Sequence, residues 1–170
     1  KLKELSNCDP LTNVYNRRYF SEISNKMLSL TSRNSHDLGM IILDIDKFKN
    51  INDTYGHGLG DKVIIALAQN LKEIVRDSDI VSRFGGEEFV ILMYNINLEN
   101  AQNVAEKIRQ HVEAIEIIDN DLTLRFTVSL GVALYDEAID NKNLEYTLKR
   151  ADKALYMAKQ NGRNQVRVSL

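Results

Sequence analysis

The sequence predicts an α+β fold of the ferredoxin-like (palm) type. Its β-α-β-β-α-β core forms an antiparallel central sheet flanked by helices, followed by one more helix and a short strand. Three observations predict this fold. Short apolar runs indicate strands, longer stretches with apolar residues three and four positions apart indicate helices, and the order of these segments is that of a split βαβ unit.

The chain begins with a segment that we assign to an upstream linker. Residues 1–8 are predicted to be the end of a helix, because Pro10 disfavours helical backbone angles at Asp9. Residues 9–170 are predicted to form one domain. Its first helix is expected over residues 16–30, where apolar side chains recur on one face.

The first half of the core contains a strand, a helix and a hairpin. Residues 38–45 form an apolar run that ends in Asp-Ile-Asp, which is typical of a buried strand. Residues 62–76 repeat apolar side chains at helical spacing. Two apolar runs, 79–84 and 89–94, flank a Gly-Gly-Glu-Glu stretch and therefore predict a β-hairpin with a glycine turn.

The second half of the chain is predicted to hold two helices and two strands. Residues 100–117 have helical periodicity, and residues 122–134 alternate between apolar and polar side chains as a strand does. Residues 144–159 again have helical periodicity. A short strand over residues 166–168 ends the predicted fold.

Composition excludes several classes of protein. The 170 residues suffice for one domain with its own core. Lys and Arg number 22 against 24 Asp and Glu, so the net charge of −2 excludes the basic footprint of a nucleic-acid-binding protein. A single cysteine, Cys8, excludes an internal disulfide and fits a reducing compartment. No apolar run is long enough to span a membrane, so we expect a cytoplasmic domain. A membrane anchor elsewhere in a parent protein is left open.

The predicted topology brings two acidic segments to one edge of the sheet. A helical crossover makes the first core strand parallel to the second, and the hairpin reverses the third. Asp44 and Asp46, where the first strand ends, should therefore lie near Glu87 and Glu88 at the hairpin tip. Buried carboxylates repel unless a cation lies between them, and Mg²⁺ prefers oxygen ligands. These acidic residues therefore predict a metal–nucleotide site at this edge of the sheet. The alternative is that Asp46, Glu87 and Glu88 are solvated turn residues.

The segment after the first core strand carries residues suited to a nucleotide. We predict a loop here, because three of the eight glycines lie within residues 56–60. Lys49 is a cation placed to meet a phosphate. Asn52 and Asp61 can hydrogen-bond a base edge, and a carboxylate matches the two N–H donors of guanine. The alternative role for Asp61 is to cap the helix that follows.

Two cations lie near the end of the chain. Lys159 and Arg163 are four residues apart, and Gly162 between them is a helix terminator. One interpretation is that these cations bind terminal phosphates. The other is that they complement the dipole and the last carbonyls of the helix.

Taken together, these segments resemble the GGDEF family of diguanylate cyclases. Residues 85–89 read Gly-Gly-Glu-Glu-Phe, which is the family signature in its GGEEF form. Asn13 and Val14 replace the Gly-Leu usual in the family's entry motif, and asparagine tolerates the left-handed backbone that a glycine would supply. Four further blocks match in order and spacing, namely residues 9–18, 44–61, 129–133 and 151–164.

The resemblance implies an enzyme that condenses two GTP into cyclic di-GMP and releases two pyrophosphates across a homodimer. Asp44, Glu87 and the Ile45 carbonyl would bind Mg²⁺, with Mn²⁺ as the alternative ion. Glu87 is the candidate for activating the attacking 3′-hydroxyl, while Glu88 and Lys49 support catalysis. The residues implied in binding GTP are Phe48, Lys49, Asn52, His57, Asp61, Lys159 and Arg163.

A second ligand site is implied by the same resemblance. Arg76 and Asp79 match the family's RxxD motif, which binds the product cyclic di-GMP away from the catalytic centre and inhibits the enzyme. Five residues separate Asp79 from Gly85, as the family pattern requires. The alternative is that Arg76 complements a helix C-terminus and Asp79 starts a strand.

Two other functions stay open on the sequence alone. The domain could be a catalytically silent module that binds GTP or cyclic di-GMP, although such members usually lose the acidic residues that this chain keeps. It could also form a mixed purine dinucleotide, against which the guanine-matching Asp61 argues. In each case the resemblance implies an upstream sensor or dimerisation domain in the full-length protein.

Overall fold

The computed structural model describes residues 6–34 and 37–170, and these residues form eight strands and six helices. The strands are β1 (Tyr15–Asn16), β2 (Leu38–Ile45), β3 (Ile80–Gly85), β4 (Glu88–Tyr94), β5 (Ile117–Asp119), β6 (Leu122–Leu124), β7 (Val128–Leu134) and β8 (Val166–Val168). The helices are α1 (Arg17–Asn34), α2 (Phe48–Tyr55), α3 (His57–Ile74), α4 (Leu98–Glu113), α5 (Glu137–Asp140) and α6 (Leu144–Gln160).

Six of the strands form one sheet in the order β1-β3-β4-β2-β7-β8. The central strand β2 runs antiparallel to both of its neighbours, β4 and β7. Because β3 is also antiparallel to β4, strands β2 and β3 point the same way. The four core strands therefore have the ferredoxin-like order, which confirms the predicted fold class. At the two sides of the sheet, β1 pairs in parallel with β3, and β8 pairs in parallel with β7.

Helices cover both faces of this sheet, which explains why β2 reads as a continuous apolar run. All eight of its residues are buried. Ile41, Leu43 and Ile45 face a core built with α2, α3 and α4. Met40 and Ile42 face a second core built with α1 and α6.

The segment between β2 and the second half of α3 differs from the prediction. It is not a glycine-rich loop, because α2 begins at Phe48 and α3 begins at His57, five residues before the predicted Lys62. Phe48, Ile51 and Leu59 are buried against the sheet and stabilise these turns despite the glycines. Asp61 therefore lies inside α3 and does not cap it.

The strand predicted over residues 122–134 is two strands. Residues 122–124 pair with β5 in a separate two-stranded sheet, and only residues 128–134 join the main sheet. The helix predicted to reach residue 117 ends at Glu113 for the same reason, because the chain that follows forms β5. The alternating pattern could not reveal this break, since hairpin strands and sheet strands share a period of two.

The start of the described chain also differs from the prediction. Residues 6–8 are not helical, and Cys8 forms an isolated bridge with Tyr15; the rest of the predicted linker helix, residues 1–5, lies outside the described residues. Asn13 has a φ of 60°, so asparagine does supply the left-handed turn expected there. Among the residues described, no helix combines the length and hydropathy needed to cross a bilayer.

Candidate active site

The carboxyl end of β2 meets the tip of the β3–β4 hairpin. Asp44 is paired in register with Glu88, and the backbone N–H of Ile45 donates a hydrogen bond to the Glu87 carbonyl oxygen at 3.4 Å. Gly85 ends β3 and Gly86 begins the turn, and both have positive φ values, which glycine adopts without steric cost. This geometry confirms that the two acidic segments lie at one edge, which we call the acidic edge.

Asp44 is the buried carboxylate of the acidic edge, with only 11% of its side chain exposed, and it forms an ion pair with Lys159 of α6. Burial raises the pKa of Asp44, the hydrogen bond and charge of Lys159 lower it, and the charges of Glu87 and Asp46 raise it again. The pKa of Asp44 lies above its usual value as a result. One cation therefore does not offset the burial and the neighbouring negative charges.

The pKa of Glu88 is raised for the same reasons as that of Asp44. Burial raises the pKa of Glu88, the charges of Asp152 and Asp44 raise it further, and Lys159 and Arg17 oppose them only in part. Glu88 and Asp152 also line a cleft of about 840 Å³ between α1 and α6. The acidic edge thus carries more negative charge than the protein itself neutralises.

This donor set fits a divalent cation. Asp44, Glu87 and Glu88 offer hard carboxylate oxygens, and a cation would relieve the repulsion that raises the pKa values of Asp44 and Glu88. Within the described part of the chain, no three or more His, Cys, Asp or Glu side chains form a ready metal cage. Mg²⁺ typically uses one or two carboxylates together with substrate phosphates.

Asn52 of α2 carries an unsatisfied polar atom. Its Oδ1 is buried, and no hydrogen-bond partner for it exists among the described residues. A side chain at Gly60 would collide with this oxygen and come within 3.3 Å of the Phe48 ring. The glycine therefore leaves room for the amide, and an unpaired buried acceptor is a place where a ligand donor would be favourable.

Most of the other residues that the sequence assigns to substrate binding are exposed, whereas Phe48 is buried and Lys159 is half-buried. Lys49, His57 and Asp61 are open to solvent and have no hydrogen bond or ion pair within the described residues. Arg163 is exposed as well, and it lines a cleft of about 620 Å³ that also includes Lys47. These side chains are free to meet a ligand.

Asp46 differs from its sequence interpretation. It is not a solvated turn residue, because it is only 8% exposed. Its carboxylate is also not available to share a cation with Asp44, because it is buried and hydrogen-bonded within the protein. It accepts hydrogen bonds from Thr127, Ser129 and the backbone of Asn164. The acidic edge therefore consists of Asp44, Glu87 and Glu88.

Arg76 and Asp79 lie together but far from the acidic edge. They close the turn between α3 and the beginning of β3, at the opposite end of the hairpin from its glycine turn. Arg76 Nη2 contacts Asp79 Oδ1 at 3.0 Å and the Tyr94 carbonyl oxygen at 2.7 Å. The Asp79 side chain is 2% exposed and that of Arg76 is 51% exposed, so the guanidinium faces solvent.

Sequence reasoning missed two charged residues that act on the acidic edge. Asp152 acts on Glu88 electrostatically, and it lies seven residues before Lys159, which places both on one helix face. That spacing was a usable signal. Arg17 stacks on the Phe84 ring at 4.7 Å and also acts on Glu88, and no local pattern connects it to β4.

Residues 6–165 match the family model described as "Diguanylate cyclase, GGDEF domain", so the chain belongs to the GGDEF-domain family. Among curated relatives, Diguanylate cyclase A of Treponema denticola is 38% identical over 172 residues, covering 99% of this chain and 46% of that protein. The chain spans less than half the length of the curated relatives it matches.

Solved structures agree with this assignment. The GGDEF domain of DgcB from Caulobacter crescentus, in complex with c-di-GMP, has a TM-score of 0.91 at 28% identity and matches 99% of both chains. The active GGEEF domain of a diguanylate cyclase from Vibrio cholerae has a TM-score of 0.83 at 31% identity, covering 97% of this chain and 99% of that chain.

Proposed function

We propose that this domain is a diguanylate cyclase, which condenses two GTP into cyclic di-GMP and releases two pyrophosphates. The observation that carries the proposal is the convergence of Asp44, Glu87 and Glu88 at one edge of the sheet, with Lys159 as their cation. Membership in the GGDEF family supports it, as does likeness to a domain solved with c-di-GMP.

Asp44, Glu87 and the Ile45 carbonyl would hold Mg²⁺ or Mn²⁺. When bound, the ion would neutralise charge on the α-phosphate and lower the pKa of the attacking hydroxyl. The raised pKa of Asp44 supports its role as a metal ligand, because its ion pair with Lys159 does not fully stabilise the carboxylate. Lys159 would bind a substrate phosphate beside it.

The chemical step forms one bond and breaks one bond at each α-phosphorus. The 3′-oxygen of one GTP bonds to the α-phosphorus of the other, the bond from that phosphorus to the bridging oxygen breaks, and pyrophosphate leaves. Glu87 would accept the hydroxyl proton, and Glu88 would support it. Two such attacks close the ring.

Binding of the nucleotide would be divided among three groups of residues. Asn52 and Asp61 would bind guanine, with Phe48 against the base, and the buried unpaired Oδ1 of Asn52 supports this assignment. His57 would contact the substrate nearby. Lys49, Lys159 and Arg163 would bind the phosphates, as exposed or half-buried cations around the acidic edge.

The reaction also requires a second copy of the domain. One acidic edge would hold one GTP, so the nucleophile for its α-phosphate must come from the partner's GTP. A two-fold axis places both nucleotides with a single type of contact, and holding them in line lowers the barrier. We infer that the catalytic unit covers residues 9–170 and acts in the cytoplasm. An upstream sensor or dimerisation domain, entering through a linker over residues 1–8, would set how two copies approach.

Arg76 and Asp79 would form an inhibitory site for cyclic di-GMP. The half-exposed guanidinium is held in one orientation by Asp79 and the Tyr94 carbonyl, and an oriented guanidinium suits a phosphate. The site lies at the opposite edge of the sheet, so product bound there would leave the acidic edge open and act on the approach of two copies.

The direct test is to incubate the domain with GTP, ATP and Mg²⁺ and to determine the product by mass. Cyclic di-GMP is the expected product. A mixed dinucleotide would contradict the guanine assignment. Binding of GTP without any product, at protein concentrations high enough to drive dimerisation and with an N-terminal dimerising helix fused, would identify a silent binding module instead.

A further inference from the structure

Asp46 is held by hydrogen bonds from two distant parts of the chain. Its Oδ1 accepts from Ser129 Oγ at 2.6 Å, and its Oδ2 accepts from Thr127 Oγ1 at 2.7 Å and from the backbone N–H of Asn164 at 3.0 Å. The Asp46 N–H donates to the Thr127 carbonyl oxygen at 2.9 Å. One carboxylate therefore ties the end of β2 to β7 and to the turn after α6.

The turn after α6 has a backbone that needs such support. Arg163 and Asn164 have φ values of 63° and 45°, and two consecutive left-handed residues that are not glycine persist only where their surroundings hold them. Arg163 N–H bonds to the Ala158 carbonyl oxygen at 2.9 Å and ends the helix. Arg109 Nη1 and Glu113 hold the Asn164 side chain from the other side.

We infer that Asp46 is a positioning residue, which fixes the backbone of the turn that presents Arg163 to the substrate phosphates. This inference rests on the proposed function, because it gives Arg163 a phosphate to bind. Asp46 lies two residues after Asp44 and immediately after Ile45, so the strand that would carry the metal ligands also sets the place of a phosphate-binding side chain. The metal site and the phosphate site are thereby coupled through one side chain.

The same contacts argue against Asp46 as a metal ligand. Both of its oxygens already accept protein donors, and a cation would have to displace at least one of them. Asp44 is the reverse case, because among the described residues its carboxylate accepts a side-chain hydrogen bond only from the ammonium of Lys159. The two aspartates of the Asp-Ile-Asp sequence thus have different tasks.

A double-mutant cycle tests the inference. Asp46→Ala and Arg163→Ala are each expected to raise the KM for GTP, and the Kd of an analogue with an α,β-methylene bridge, about tenfold. If Asp46 acts through Arg163, the double variant binds no more weakly than Arg163→Ala alone. Effects that multiply to about a hundredfold, or a Kd unchanged in Asp46→Ala, would overturn it.

Asp46→Asn is the matched control. Its amide oxygen still accepts the Asn164 N–H and its NH₂ meets the Ser129 hydroxyl, so most activity and the Mg²⁺ concentration for half activity are expected to persist. A metal ligand would instead behave like Asp44→Asn, with lost turnover and a shifted Mg²⁺ dependence, and that result would refute the positioning role.

A readout without GTP separates this inference from the proposed function. In Asp46→Ala the Asn164 amide should exchange with solvent at least tenfold faster, while amides in the middle of α6 keep their protection. If Asp46→Ala does not fold, Asn164→Ala loosens the same turn from the Arg109 side and enters the cycle in its place. Unchanged exchange at residue 164 in a folded Asp46→Ala would contradict the inference even in an active enzyme.

Discussion

Two buried aspartates with basic partners lie at opposite ends of the sheet and behave in opposite ways. Asp140 has a fully buried side chain and receives hydrogen bonds from Arg150, Thr147 and the Asp136 backbone. Burial would raise the pKa of Asp140, but these bonds, led by Arg150, outweigh it and lower the pKa. At the acidic edge, burial and like charges outweigh Lys159 and raise the pKa of Asp44.

The difference lies in how completely each carboxylate is satisfied. Arg150 also donates to the Leu134 carbonyl oxygen at 2.6 Å, so the Asp140 pair is built into the fold as a closed network. Within the part of the chain that the structure describes, the Asp44 carboxylate has one side-chain hydrogen-bond donor, Lys159, and two negatively charged neighbours, Glu87 and Asp46. A buried carboxylate whose hydrogen-bond and ion-pair partners are all present stabilises the fold. A buried carboxylate with too few partners is a candidate for binding a cation.

The largest expected effect is on turnover at the acidic edge. Glu87→Gln keeps the size of the side chain but removes its charge and its ability to accept a proton. We expect cyclic di-GMP formation to fall roughly a thousandfold, with the thermal unfolding midpoint within a few degrees of the wild type. Substantial activity in this variant, measured by product mass, would remove Glu87 from the catalytic assignment.

The next largest effect is on the free energy of unfolding, and its sign is opposite for the two aspartates Asp140 and Asp44. Asp140→Ala leaves Arg150 without its buried partner and should lower the free energy of unfolding by about 3–5 kcal/mol. Asp44→Asn removes an unfavourable charge and should raise it by about 0.5–1 kcal/mol while abolishing turnover. Urea denaturation measures both. A strongly destabilised Asp44→Asn would mean that the Lys159 pair is structural after all.

The pH dependence sharpens the same contrast. Because folding lowers the pKa of Asp140, its carboxylate stabilises the fold at pH values above its pKa in the unfolded chain, which is near the ordinary 3.8. This stabilisation is lost as the pH falls through the pKa of Asp140 in the folded protein. A raised pKa means that charged Asp44 destabilises the fold at neutral pH, and this penalty vanishes at acidic pH. The gain from Asp44→Asn should therefore shrink between about pH 7 and pH 4.

Unfolding curves of wild type and Asp44→Asn at several pH values give this difference directly. A gain that stays constant down to pH 4 would show that the carboxylate charge is not its cause.

The smallest effect belongs to an intermediate case, the Arg76–Asp79 pair. Asp79 is satisfied as Asp140 is, but Arg76 still presents a half-exposed guanidinium. Arg76→Ala should weaken cyclic di-GMP inhibition about tenfold and leave the KM for GTP unchanged. Calorimetry with cyclic di-GMP measures the affinity, and unaltered binding would assign the pair to closing its turn alone.

Much of the fold was predictable because its signals are local. The apolar run of β2, the glycine turn of the hairpin and the periodicity of α6 each lie within a few residues, and chain direction alone then placed Asp44 beside Glu88. The α2 helix and the β5–β6 hairpin were missed because they depend on what they pack against. Helix α2 has only eight residues and is stabilised by burying Phe48 and Ile51.

The sequence by itself determined the family, the order of the core strands and the edge at which the acidic residues meet, because topology follows from the order of elements. Only the tertiary structure decided what each charged side chain does there. Lys159 reaches Asp44 across 115 positions and Asn164 reaches Asp46 across 118, and no local pattern encodes such contacts. Two neighbouring aspartates look equivalent in the chain and differ only through what the fold brings to each of them.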